Sequence, residues 1–291
     1  MLKLMLIALA ILFGWLSMLG YGLANVFSQP LAKKYGPAQV LFLRSFAILV
    51  ILAVGAAPSF QELSHYKEVL LTLGLGALGY LPVLAFTHGI RISRLGIVAP
   101  IAGTSPLITV VLSSLVLNTQ IHLLQWLAIL VVIGANVAMS VDLKNWRNSS
   151  LMRLSSGIPF AFMATLGWGF FFFFLIYATR WLGPWLSAFL VEAGVTLAAG
   201  LHLLFSSQAK VPLKQAVSRP VLLNSVLICI GTVAYTVGVR RFNVSVVAAL
   251  SNSTAIVSAV VASYKFHEHL TRTEKIAGAT MVAGIAVISF F

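Results

Sequence analysis

Apolar residues run along this chain in blocks of about twenty, separated by short polar turns. A helix rises about 1.5 Å per residue, so about twenty residues cross a hydrocarbon layer about 30 Å thick. The pattern predicts ten such spans, over residues 4–27, 38–57, 68–90, 95–117, 122–141, 156–179, 185–206, 220–239, 244–264 and 273–291. Strands of a membrane barrel would be about ten residues long and would alternate in polarity, and these blocks do neither. The first block closes at a polar turn, Ser28–Lys34, with Pro30 ending it. No small-residue cleavage site precedes that turn, so the N-terminal stretch reads as a retained helix and not as a signal peptide.

The longest polar link, Asp142–Ser155, falls at the centre of the chain, which invites a search for a duplication. Leu19-Gly20-Tyr21-Gly22 returns as Leu166-Gly167-Trp168-Gly169, 147 residues on. Phe27 and Gly36-Pro37 return at the same offset as Phe174 and Gly183-Pro184. Farther along, the stretch Thr87–Arg91 (THGIR) aligns with Thr236–Arg240 (TVGVR), and Val98-Ala99 with Val247-Ala248, at an offset of 149. The order of the matches predicts a first repeat over 1–141, a central loop over 142–155 and a second repeat over 156–291. Five spans per repeat is an odd number, so tandem copies enter the membrane in opposite orientations. The expected fold is an all-α integral membrane protein of ten transmembrane helices in two inverted five-helix repeats.

Composition narrows the class. The chain is 60% hydrophobic and 9% charged, against ~45–50% and ~25% for a soluble domain. Its net charge of +13 is scattered between apolar blocks, not gathered into a basic run with aromatics, so no nucleic-acid partner is implied. The charge instead orients the chain. Thirteen Lys and Arg fall in the links 1–2, 3–4, 5–6, 7–8 and 9–10, and five in the N-terminus and the other links. The positive-inside rule then puts both termini outside a cell (inner) membrane. The single cysteine, Cys229, excludes a disulfide framework. No nucleotide-binding motif is present, and the scattered His and scarce carboxylates assemble no catalytic set, so no enzyme, cofactor or metal is implied. His267-Glu268-His269 lacks a third ligand nearby and reads as a solvated loop, followed by a capping box over Thr271–Glu274.

Polar residues inside the spans carry the candidate chemistry, because hydrocarbon does not solvate them. In span 1, Gly14, Ser17, Tyr21, Asn25 and Ser28 form one stripe at helical spacing. The related stripe of span 6, Ala161, Thr165, Trp168 and Phe172, is aromatic instead. Span 3 holds Tyr80, Thr87 and His88, and span 8 holds Asn224 and Tyr235. Span 9 opens on Ser251-Asn252-Ser253-Thr254 with Ser258 beyond, and span 4 has Thr104, Ser105, Thr109 and Ser113. Serine and threonine also serve close helix packing, and aromatics plain packing. Pro82 and Pro106 lie within spans and bend them. A polar stripe facing an aromatic one is what a binding site between two repeats requires. Tyr21, Asn25, Arg44, Tyr80, His88, Trp168, Glu192, Tyr235 and Asn252 are the candidate substrate-binding residues.

The whole chain resembles EamA-type members of the drug/metabolite transporter superfamily. The resemblance lies in ten spans in two repeats and in Gly-Pro followed by Arg in the second span (GPAQVLFLR, 36–44). It extends to an acidic, Leu-Thr turn between the last two spans (YKFHEHLTRTEKIAGATMVAGI, 264–285). The first repeat departs there, with Asn118 and Thr119 in place of His267 and Glu268. The resemblance implies export or exchange of small metabolites, and an arginine at position 44 resembles a common feature of the family.

Glu192 is one of six acidic residues in the chain, and it lies about 5 Å along the axis from the centre of span 7. An isolated carboxylate there costs at least ~2.5 kcal/mol. It escapes by protonating, by pairing with a fixed cation, or by binding a cationic substrate. The candidate cation is Arg44, since Ser45 is the residue aligned with Glu192. Measured from the span centres, the two lie roughly 10 Å apart along the membrane normal. The leading function is a secondary transporter, exporter or exchanger, of a small metabolite such as an amino acid or amine. It works by alternating access, with protons as an available coupling ion. Export of bulkier organic cations or drugs and lipid-headgroup flipping are the alternatives. The partners are the small-molecule substrate and the lipid bilayer, and the oligomeric state stays open, a monomer being compatible.

Overall fold

The computed structural model describes residues 2–117, 123–140, 156–206, 212–242, 247, 250–251, 254–267 and 271–290, and these are helical almost throughout. The helices are α1 (Leu2–Tyr35), α2 (Pro37–Ala56), α3 (Tyr66–Ile92), α4 (Leu95–Ala102), α5 (Pro106–Leu117), α6 (Leu123–Ser140), α7 (Ile158–Leu182), α8 (Pro184–Phe205), α9 (Arg219–Arg241), α10 (Thr254–Phe266) and α11 (Arg272–Phe290). Six of them are long and apolar enough to cross a bilayer: α1, α2 with the 3-10 turn that extends it to Ser64, α3, α7, α8 and α9. Shorter apolar segments occupy the places of the fourth, fifth and ninth expected spans.

Two local expectations change. The polar turn at 28–34 is helical, and α1 runs on through Pro30 to Tyr35. Ser28 and Gln29 are sheltered by the second repeat and by α3. Ser28 accepts a hydrogen bond from Asn224 Nδ2 at 3.0 Å, and Gln29 Nε2 donates to the carbonyl of Ile90 at 3.2 Å. Lys33 and Lys34 then fall in the last turn, where the helix dipole favours them. The fourth span is two helices, because Pro106 lacks the amide that would continue the ladder and instead opens α5.

The turn from α1 to α2 is one residue, Gly36 (φ 85, ψ 155), with Pro37 opening the next helix. The turn from α7 to α8 repeats it with Gly183 (φ 78, ψ 167) and Pro184. This backbone region is open essentially to glycine alone. The Gly-Pro pairs seen in the sequence are thus helix-to-helix joints.

Packing follows a twofold relation between the repeats. α1 packs along α9 and α10, and its counterpart α7 packs along α3 and the α4–α5 pair. α3 lies on α8 as α9 lies on α2, α2 with α8 and α6 with α11 pair with their own counterparts, and α4 packs on α10, the counterpart of α5. The relation holds residue by residue. Thr109 Oγ1 donates to the carbonyl of Gly169 at 2.9 Å, and the corresponding Ser258 Oγ donates to that of Gly22 at 3.1 Å. Ala128, Val132 and Ala135 of α6 are buried together with Ala277, Met281 and Gly284 of α11, their mates at the offset of 149. Outward faces carry exposed Leu12, Trp15 and Leu16 on α1 and Leu197, Leu201 and Leu204 on α8, a surface suited to lipid.

Candidate functional site

A cavity of about 130 Å³ lies between the repeats. Its walls come from helix faces at steps of three and four, the spacing that stacks residues on one side of a helix. α8 contributes Ala188, Val191, Glu192 and Val195, α7 contributes Trp168, Phe171, Phe172 and Leu175, and α1 contributes Tyr21, Ala24 and Asn25. α3 adds Gly79, Val83 and Phe86, and α9 adds Ile228 and Thr232. The broken fourth span supplies Gly103 and Ser105, while Ser251 and Thr254 come from the corresponding part of the second repeat.

The twofold runs through this lining, but the chemistry on its two sides differs. Tyr21 corresponds to Trp168, Ala24 to Phe171, Asn25 to Phe172, Val83 to Thr232, Ala102 to Ser251 and Arg44 to Val191, and all of these line the cavity. Apart from Arg44 on α2, the polar members therefore gather on α1, on α9, which packs along it, and at Ser251, which is bonded to Ser17 of α1. Aromatic members gather on α7 and α3, where Phe86 and Trp168 meet with ring centroids 5.1 Å apart. One half of the cavity is polar and the other aromatic.

Most of the α1 stripe is bonded to the second repeat. Ser17 and Ser251 share a hydrogen bond of 2.6 Å, the Tyr21 hydroxyl donates to Thr232 Oγ1 at 3.0 Å, and Asn25 Nδ2 donates to Ser258 Oγ at 3.2 Å. Tyr21 and Asn25 also face the cavity. Thr165 of the α7 stripe donates to the carbonyl of Ile101 at 2.8 Å.

Glu192 is 7% exposed. α8 is held close to α3 where Gly76 and Gly194 cross, since a methyl group on either would meet backbone atoms of the other helix. The counterpart of this crossing joins α9 to α2. There Ser225, aligned with Gly76, donates its hydroxyl to the carbonyl of Arg44, aligned with Val191, at 3.1 Å. The carboxylate of Glu192 lies beside Ser45, its own mate. Mates that meet must straddle the twofold, so α2 and α8 cross at these positions and not at their span centres. Arg44 lines the same cavity, and its charge acts on Glu192. The two form no ion pair, and Glu192 Oε2, Ser45 Oγ and Arg44 Nε are buried without a hydrogen-bond partner.

Of the other candidates, Tyr80, His88 and Tyr235 lie outside the lining. The Tyr80 hydroxyl and His202 Nδ1 share a hydrogen bond of 2.6 Å across α3 and α8. His88 meets Phe160 in a tilted ring contact, centroids 4.5 Å apart, and Tyr235 is 1% exposed against Phe172. Asn252, Glu268 and His269 lie outside the described residues, as does the whole of the central loop. Lining residues that the polar pattern does not single out include Thr232, Phe86 and Phe171. Extending the repeat offset from Tyr21 and Trp168 to their neighbours marks Phe171 beside Ala24 and Thr232 beside Val83.

No curated protein matches the chain. One solved crystal structure aligns over 96% of this chain and 95% of that one, with a TM-score of 0.67 at 17% identity, which is a likeness of fold. The EamA-like transporter family matches twice, over residues 8–141 and again over 155–290. With two matched segments that span nearly its whole length and a cavity between two repeats of membrane helices, the chain belongs to the EamA-like transporter family, a family of membrane transporters and not of enzymes.

Proposed function

We propose that this protein is a secondary transporter of a small amine or amino acid, exporting or exchanging it by alternating access around the cavity. In this reading ten spans form two inverted repeats, over 1–141 and 156–291, joined by the central loop, with both termini outside a cell membrane. The observation that carries it is Glu192: a carboxylate within a membrane-spanning helix, facing a cavity shared by both repeats, with Oε2 unpartnered. A buried charge without a partner is costly, and a mobile cation or a proton relieves that cost in turn. Glu192 thus binds the substrate ammonium in one half of the cycle and a proton in the other. Tyr21, Asn25 and Trp168 shape the remainder of the site.

Proteoliposomes holding the full chain, assayed with radiolabelled amines and amino acids over a range of pH, test this. The expected result is pH-dependent flux that Glu192→Gln abolishes while the protein stays folded, because Gln keeps the size and loses the titratable charge. A static Glu192–Arg44 pair predicts poor folding of Glu192→Gln and rescue on neutralising Arg44. Full, pH-responsive flux in Glu192→Gln sinks the proposal, and headgroup scrambling without amine flux in the same vesicles replaces it with a flippase.

A further inference from the structure

We infer that the cavity selects a dipolar ligand, one molecule that carries an ammonium for Glu192 and an anionic group for Arg44, over a simple cation or a simple anion. The inference rests on the transport reading above and narrows its substrate class.

Three observations carry it. Among the described lining residues, Arg44 and Glu192 are the two that bear full charges, and they are opposite. A lone organic cation meets attraction from one and repulsion from the other, and a lone anion meets the reverse. Only a ligand with both charges gains at both ends.

The second observation is that the two charges are not spent on each other. A closed pair would bring guanidinium and carboxylate into contact, yet no ion pair joins them. Arg44 Nε, Glu192 Oε2 and the neighbouring Ser45 Oγ have no hydrogen-bond partner although buried. Buried polar atoms without partners are rare, and three at one place offer donors and acceptors that a polar ligand can satisfy. Charged groups left this way cost most, so the ligand that completes both is favoured most.

The third observation is spacing. Arg44-Ser45 on α2 and Val191-Glu192 on α8 are corresponding residue pairs, and Ser45 lies beside Glu192. The two charges therefore flank the twofold one residue out of step. That is close enough for one headgroup and not the roughly 10 Å that span centres suggest. The same lining holds the apolar Phe171, Phe172, Leu175 and Ile228, which suit an uncharged tail.

The test uses three ligands with one carbon skeleton: leucine, 3-methylbutylamine (leucine without its carboxylate) and 4-methylpentanoate (leucine without its ammonium). Thermal stabilisation of the purified full chain reads binding, and counterflow in proteoliposomes reads transport. Leucine should bind at least about tenfold more tightly than either fragment, since each fragment forgoes one charge-assisted contact. Arg44→Gln should move the preference toward the amine and Glu192→Gln toward the acid, while Arg44→Lys, which keeps the charge, should hold the preference for leucine. If the neutral variants do not fold, the three-way comparison on the unaltered protein still decides. Binding or flux of the amine equal to that of leucine overturns the dipolar selection and leaves the transport reading standing. Neither binding nor flux of any of the three overturns both.

Discussion

A polar side chain in hydrocarbon bonds back to its own helix, as Thr87 and Thr196 do, bonds to another helix or meets a cavity, and α1 shows the last two on one stripe. Ser17 and Ser28 are fully occupied with the second repeat, whereas Tyr21 and Asn25 bond across and also reach the cavity. Asn224 is wholly buried on the receiving side, with Nδ2 donating to the carbonyl of Ala24 at 2.7 Å and to Ser28 Oγ at 3.0 Å. Interhelical bonds of this kind contribute about 0.6–1.7 kcal/mol each. Asn224→Ala should therefore lower stability by about 1–3 kcal/mol in denaturant unfolding while ligand preference stays unchanged, and a changed preference would mean that Asn224 shapes the cavity. Trp168 tests the opposite use. If it forms the aromatic face for a bound ammonium, worth up to ~2 kcal/mol when water is excluded, Trp168→Ala should weaken ligand affinity roughly tenfold at normal expression. Unchanged affinity assigns the ring to packing against Phe86. At this scale the sequence shows that a residue is polar and intramembrane. It does not show which use the residue has, as Tyr80 and Tyr235, both outside the lining, make plain.

Helices here are positioned by glycines at two kinds of place. At the joints, Gly36 and Gly183 hold a backbone region that other residues enter at a cost of about 1–3 kcal/mol. Gly183→Ala should lower the thermal unfolding midpoint of the protein in detergent, and no shift would show that the joint relaxes without strain. At the crossings, Gly194 lies on the backbone of α3, against Leu73 and Ala77, while Gly200 on the same helix meets only the ring of Phe42, at 3.3 Å. Gly194→Leu should force α3 and α8 apart, displacing Glu192 and giving aggregated protein in size-exclusion chromatography. Gly200→Ala, which asks one ring to move by a few tenths of an ångström, should remain monodisperse. Equal behaviour of the two variants would contradict the close crossing. The joints were legible as repeated Gly-Pro pairs. The crossings were not, because a glycine in an apolar run looks the same whether it faces lipid or another backbone.

For the whole molecule, the odd number of expected spans in each repeat and the thirteen-to-five division of Lys and Arg make one testable statement about orientation. Cysteines introduced singly at Ser64, exposed in the turn after α2, and at position 148 in the central loop should differ toward an impermeant thiol reagent on intact cells. Position 64 should react and 148 should not. The reverse pattern would turn the molecule over and place both termini inside. Buried Cys229 leaves little background reaction.

The sequence by itself determined the membrane-helix class, the division into two repeats and the family, because apolar length and a fixed offset are properties that can be read along one strand of chain. It also marked Glu192, since a carboxylate amid about twenty apolar residues is conspicuous without any partner in view. Only the tertiary structure decided that α1 continues through the polar stretch at 28–34, because Ser28 and Gln29 find their bonds on residues about 200 and 60 positions away. Only it decided that Ser45 and Glu192 meet, and so that Arg44 shares their cavity. Span centres assume that every helix crosses its neighbour halfway. The real crossing point is set by where small side chains let two backbones approach, and that register exists only once the helices are packed.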